Sequence, residues 1–248
     1  MKIDNATALV TGAGRGLGRQ FVHELLARGA SVYATARDVT WLPSSADGSV
    51  TALSLDVTEP SSVAAVAEAA SDVDLLINNA GVFTATGVLG DQEKVRQEME
   101  VNYWGVLSMV RAFAPVLARN GGGAILNVAS EASWSTVPGN GAYAASKAAV
   151  WNLSNALRHE LVEQRTLVTS LHFGATDTDM LRGVDIPKGD PAQIVRAALD
   201  GIERQEFEIL ADESVKAVKS TLHRTPEELY PALAAAFREA PADRARES

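Results

Sequence analysis

The chain has 248 residues, 46% of them hydrophobic, with a formal net charge of -9 and a pI near 5.0. That length suits one α/β domain with a sizeable core, and an acidic surface repels phosphates, which excludes nucleic acid or an anionic membrane as the main partner. The absence of cysteine excludes disulfides, thiolate metal sites and a cysteine nucleophile.

The N-terminal residues Met1 to Asn5 carry no apolar run of the secretory type, and no apolar stretch is long enough to span a bilayer. A cytoplasmic location is the expectation. The four histidines, His23, His159, His172 and His223, are scattered and form no ligand-spaced pair, so no metal is expected. In chain order, apolar runs alternate with helix-period segments, the pattern of a parallel sheet wrapped by helices. Ala6 to Val10 reads as the first strand, Leu17 to Ala27 as a helix stopped by Gly29, and Ser31 to Ala36 as the second strand. Val50 to Leu55 is the third, after which Pro60 opens a short alanine-rich helix where its missing N–H costs nothing. A short buried strand, Leu75 to Ile77, precedes a long helical stretch from Glu93 to Ala118, with Pro115 expected to bend its last turn. Strands at Gly123 to Val128 and Leu167 to Phe173 flank a second long helix, Ala142 to Gln164. A helix at Ala192 to Arg204, a strand at Phe207 to Leu210 and a terminal helix at Pro226 to Arg238 complete the pattern. Residues 1 to 240 form one expected domain, and the charged tail Pro241 to Ser248 is expected to fray.

In such sheets ligands sit beyond the carboxyl ends of the strands, and the unusual residues fall there. The first strand ends in Thr11-Gly12-Ala13-Gly14-Arg15-Gly16-Leu17-Gly18 and runs straight into a helix. Glycines let the backbone turn tightly and approach a pyrophosphate, and the helix start offers free N–H groups to it. The second strand ends in Ala36-Arg37-Asp38. An acid there suits the ribose hydroxyls of NAD, whereas arginine suits the 2′-phosphate of NADP. Arg37, with Arg15 in the glycine turn, favours NADP(H); Asp38 leaves NAD(H) open.

Tyr143 and Lys147 lie four apart at the start of a helix and share a face. A phenol titrates near pH 10, and a neighbouring ammonium is expected to lower that value. Ser130 closes a strand thirteen residues earlier, where a hydroxyl can hold a substrate oxygen. Asn102 sits inside a helix, where a buried amide must be used, either to fix a water relaying protons to Lys147 or in helix packing.

Taken together, Thr11 to Gly18, Asp56-Val57, Asn78-Asn79-Ala80-Gly81, Asn102, Ser130 and Tyr143 with Lys147 resemble the short-chain dehydrogenase/reductase family in order and spacing, over roughly three-quarters of the chain. The resemblance implies a doubly wound sheet of about seven parallel strands, an Asn102-Ser130-Tyr143-Lys147 tetrad, and hydride transfer between a nicotinamide cofactor and a carbonyl or alcohol. It also implies that Asp56 and Val57 meet the adenine, that Asn79, Ala80 and Gly81 line the cofactor, and that Lys147 holds the nicotinamide ribose. In the family's alignment the acid slot of the second strand falls on Ala36. After the sixth strand the family's Pro-Gly is Phe173-Gly174 here, followed by Thr176 and Thr178 toward the carboxamide. The cofactor set is therefore Gly12, Arg15, Gly16, Leu17, Gly18, Arg37, Asp56, Val57, Asn79, Ala80, Gly81, Tyr143, Lys147, Gly174, Thr176 and Thr178.

Phe83, Trp134, Val137, Phe173, Met180 and Leu181 are candidates for the substrate wall and favour an apolar ketone. The segment Asp179 to Asp190 reads as a short lid. A homodimer or homotetramer through the two long helices is expected, although the C-terminal sequence departs from the run that makes the family's tetramer contact. The leading reading is an NADP(H)-dependent carbonyl reductase. The alternatives are a non-catalytic dinucleotide sensor, which has no use for Ser130, Tyr143 and Lys147 together, and a lyase or epimerase on the same fold.

Overall fold

The computed structural model describes residues 1–42, 45 and 48–239; the expectation for the tail lies outside them. Seven strands form one parallel sheet in the order β3-β2-β1-β4-β5-β6-β7. They are β1 Thr7–Thr11, β2 Ser31–Ala36, β3 Val50–Ser54, β4 Leu75–Asn78, β5 Gly123–Val128, β6 Thr166–His172 and β7 Glu208–Leu210. The helices are α1 Gly16–Ala27, α2 Pro60–Ala69, α3 Gln92–Met99, α4 Gly105–Arg119, α5 Gly141–Glu160, α6 Pro191–Glu203, α7 Glu213–Ser220, α8 Pro226–Leu229 and α9 Pro231–Glu239.

Successive strand residues point to opposite faces, and both faces are covered. Ala8, Val10, Leu75, Ile77, Ala124 and Leu126 pack against Phe21, Val22 and Leu25 of α1 and Ile194, Val195 and Ala198 of α6. Leu9, Leu76 and Ile125 face the other way, onto Val63 and Val66 of α2, Met109 and Phe113 of α4, and Val150 and Leu157 of α5. The strand order reverses between β1 and β4, which opens a crevice at their carboxyl ends.

Three elements differ from the sequence expectation. The long helix is not continuous: a π-helical turn, Glu100–Trp104, separates α3 from α4, while Pro115 sits inside α4 and the helix runs on to Arg119. The terminal helix is divided at Tyr230 (φ -126°, ψ 58°), because Pro231 disfavours the helical conformation of the residue before it. Helix α7 was not expected at all; Asp212 caps it by accepting from the Val215 N–H.

Candidate active site

The turn after β1 is built for close approach. Gly12 has φ +68°, and a Cβ on Gly18 would lie 2.1 Å from the Gly12 carbonyl oxygen. Glycine at 18 therefore lets α1 pack directly onto the turn. Helix α1 has no side-chain cap and no acid in its first turn, so its free N–H groups and positive dipole end face the crevice. A brace lies underneath: Thr11 Oγ1 accepts from the N–H groups of Asn79 and Ala80, both at 2.9 Å, and Asn79 Nδ2 donates to Thr11 O at 2.8 Å.

Above the switch point lies a cavity of about 1200 Å³, larger than the pocket of a single small ligand. Apart from Asn102 and Trp134, every residue expected at the site lines it. One end carries Arg15, Arg19, Arg37, Asp38, Trp41 and Asp56; the other carries Phe83, Val137, Phe173, Met180 and Leu181, with Val184 and Ile186 from the lid segment.

At the first end Asp38 is committed to its own turn. Its Oδ1 accepts from the Thr40 N–H at 2.9 Å and the Thr40 hydroxyl at 2.6 Å, and these bonds hold its carboxyl below the usual range. The Asp56 carboxyl is likewise held low, by the Thr58 hydroxyl and N–H and by the charge of Arg37. Arg19 and Trp41 were not foreseen. The spacing of Arg19 from Arg15, one turn along α1, was the available signal; for Trp41, 73% exposed on the turn after β2, there was none.

Between the ends lie Ser130, Tyr143 and Lys147. Ser130 closes β5, its Oγ accepting from the Ala132 N–H at 3.1 Å, and the Tyr143 phenol is within hydrogen-bonding reach of it. Lys147, nearly buried, donates to Val128 O at 2.8 Å, and its Nζ stands 5.5 Å from the Tyr143 ring centroid. The expected lowering of Tyr143 is not what these groups produce. Burial pushes the phenol up to about 12, with Ser130 pulling down and the Glu98 carboxylate pushing up. Burial also pulls Lys147 down to about 8. The ammonium is turned to the Val128 carbonyl, not to the phenol oxygen.

Asn102 is fully buried and off the cavity. Its Oδ1 accepts from the Val82 N–H at 2.8 Å, and its Nδ2 donates to Val82 O at 3.0 Å and to Ser146 Oγ at 2.9 Å. These bonds tie the loop after β4 to α5 through one side chain.

Trp134 is a correction: it does not line the cavity. It stacks on His172 with ring centroids 4.1 Å apart, edge-on to Trp151, and Lys219 Nζ lies 4.2 Å above its ring. These partners, from β6, α5 and α7, draw it behind the wall. His172, fully buried, makes a 3.0 Å hydrogen bond from Nδ1 to Ser130 O and a 3.1 Å one between Nε2 and Ser170 Oγ. Burial pushes it down to about 4, so it is neutral; Nδ1 carries the proton donated to Ser130 O, and Nε2 accepts from the Ser170 hydroxyl. Glu131 also lines the cavity and was missed; burial raises its carboxyl, and Ser214 donates to it at 3.0 Å.

Residues 6–188 match the family model described as short chain dehydrogenase. The chain belongs to the short-chain dehydrogenase family. A solved short-chain dehydrogenase from Burkholderia cenocepacia J2315, in complex with NADP, is 39% identical, with 94% of this chain and 99% of that chain covered at a TM-score of 0.89. A short-chain dehydrogenase/reductase from Burkholderia phymatum in complex with NAD is 27% identical, with 91% and 98% covered at a TM-score of 0.81. The 1-deoxy-11-beta-hydroxypentalenate dehydrogenase of Streptomyces exfoliatus is 33% identical over 206 residues, 76% of this chain and 74% of that protein. For this short-chain dehydrogenase, among the described residues, no helix is long and apolar enough to cross a membrane. The crevice fits a dinucleotide: the glycine cradle would be filled by a Cβ at position 18, the helix start is uncapped, and arginines gather at one end.

Proposed function

We propose that this protein is an NADP(H)-preferring carbonyl reductase that also runs in reverse as an alcohol dehydrogenase, with residues 1–240 as one catalytic domain. The observation that carries the reading is that Ser130, Tyr143 and Lys147 line one cavity together with three arginines and a set of apolar side chains. Arg37, with Arg15 and Arg19 beside it, supplies positive charge for a 2′-phosphate, and Asp38, occupied by Thr40, is a poor competitor for the ribose hydroxyls. The NADP-bound Burkholderia cenocepacia relative is consistent with this preference, and the NAD-bound relative keeps the test necessary.

A bound NADPH would supply hydride to the carbonyl carbon. The glycine turn and the start of α1 would hold its pyrophosphate, Asp56 and Val57 its adenine, Ala80 and Gly81 would line its path, and Gly174, Thr176 and Thr178 would edge its nicotinamide end. Ser130 donates to the substrate oxygen and fixes it against Tyr143. Tyr143, kept protonated at neutral pH by its burial, gives its proton to that oxygen as negative charge develops. Lys147, anchored on Val128 O, contributes positive charge beside the phenol until its own proton leaves near pH 8. In the oxidative direction Tyr143 must first lose its proton, so oxidation favours alkaline pH.

The apolar side chains at the far end fit a neutral apolar ketone or aldehyde, and Glu131 there disfavours an anionic substrate. A homodimer through α4 and α5 and a cytoplasmic working place complete the proposal. The test is consumption of NADPH and of NADH against a panel of aryl, alkyl and keto-ester carbonyls. The reading expects turnover with NADPH favoured. Tight NADPH binding with no turnover on any neutral carbonyl counts against it.

A further inference from the structure

One buried acid in this region has no part in the chemistry described. Glu98, on α3, is fully buried, and among buried side-chain atoms its Oε2 has no hydrogen-bond partner. Its Oε1 accepts from the Thr84 N–H at 2.6 Å and from the Thr84 hydroxyl at 2.8 Å. Four residues on, Asn102 holds Val82 through both its N–H and its carbonyl. The loop after β4 is thus pinned at alternate residues, 82 and 84. Phe83, between the pins, packs edge-on against Tyr143 with centroids 5.3 Å apart. Asn102 extends the same staple to Ser146, whose hydroxyl donates to Tyr143 O at 2.7 Å.

An unpaired carboxylate oxygen in a dry interior is costly, and clamping Thr84 requires only the other oxygen. We propose that Glu98 is a positioning residue that pins the 82–84 loop and Phe83 onto Tyr143 and, through its charge, keeps the phenol in its protonated, proton-donating form. The proposal rests on the reading of Tyr143 as the proton donor. The groups that bear on Tyr143 are Lys147 from its own helix, Ser130 from the end of β5, and Glu98 from α3. Glu98 opposes ionisation of the phenol, while the Ser130 hydrogen bond favours it. Like charges disfavour a second ionisation nearby, so the carboxylate raises the pH at which Tyr143 becomes a base for alcohol oxidation.

Glu98→Gln separates the two roles, because an amide oxygen still accepts from Thr84 while the charge is gone. Two readouts follow Tyr143: the acid limb of the kcat/KM profile for alcohol oxidation, and phenolate absorbance near 295 nm in the NADP⁺ complex, taken as the difference from the matching Tyr143→Phe protein. Glu98→Gln is expected to move both midpoints down by roughly one pH unit, with the NADPH Kd within about twofold. Thr84→Val, which keeps the charge and loses one clamp bond, is expected to leave both midpoints in place while lowering kcat. Unmoved midpoints in Glu98→Gln, or an equal shift in Thr84→Val, overturn the proposal. If the Gln protein does not fold, Glu98→Met must shift the midpoints in the same direction or the proposal fails. The absorbance readout needs no turnover, so an inactive protein with the predicted midpoints would count against the reductase reading and leave the role of Glu98 standing.

Discussion

The two ends of the cavity are built differently. At the arginine-lined end, beneath the arginines and Trp41, the wall rests on backbone at the ends of β1, β2 and β4, and its polar atoms are tied down through Thr11, Asn79, Asp38 and Asp56. At the far end the wall is side chains on loops, and several stay open to solvent: Val137 is 61% exposed, Ile186 47% and Met180 44%. A wall of bonded backbone tolerates almost no change in shape, whereas loop side chains tolerate replacement. On the proposed reading, cofactor binding belongs to the rigid end and substrate choice to the adaptable one.

The strongest way to break this contrast is to add one carbon at the rigid end. In Gly18→Ala the new Cβ meets the Gly12 carbonyl oxygen at 2.1 Å. Overpacking against backbone costs about 1–3 kcal/mol or more, so calorimetric titration is expected to find NADPH binding lost or reduced about 5- to 150-fold. Binding within a few-fold of the parent would show that the turn yields.

The wall behind Ser130 gives a pH-dependent test. The folded state holds His172 at about 4, below its ordinary 6.5, because burial disfavours the charge. Between those values the unfolded chain binds more protons, so stability is complete above about 6.5 and falls as pH drops toward 4. The loss is roughly 3 kcal/mol at most. His172→Asn, able to donate to Ser130 O, is expected to flatten that acid slope in urea denaturation series from pH 7 to 4. An unchanged slope would place the titration elsewhere.

Cofactor choice comes next in size. Removing a charge-assisted contact costs about 1.5–3 kcal/mol, so Arg37→Ala is expected to weaken NADPH about 10- to 100-fold and NADH no more than about threefold. Equal losses would remove Arg37 from phosphate recognition. The smallest effects belong to the adaptable end. Met180→Ala and Ile186→Ala are expected to change KM for apolar ketones only a few-fold and to leave the NADPH Kd alone, since each removes one partly exposed side chain.

The same contrast explains what the sequence disclosed. Strands β2 and β5 begin and end where the residue pattern predicts, and the glycine turn and the Tyr143–Lys147 pair were legible because their spacing is local. Trp134 was misassigned because its orientation is decided by His172, Trp151 and Lys219, which lie 17 to 85 residues away. The π turn at Glu100–Trp104 was invisible for a related reason: it accompanies an Asn102 side chain bonded to Val82, a contact no periodicity records. Helix α7 escaped because it is one short, half-exposed segment held by its Asp212 cap. The rise of the Tyr143 phenol was equally hidden, since it depends on burial and on Glu98 from another helix.

The central claim is that Tyr143 is the proton donor of a carbonyl reductase. Its most direct test measures NADPH affinity and ketone turnover side by side in the parent and in Tyr143→Phe. The account predicts a Kd within about threefold and turnover reduced about 10²- to 10⁴-fold. Turnover close to the parent's would contradict it, and the acid would have to be sought elsewhere in the cavity.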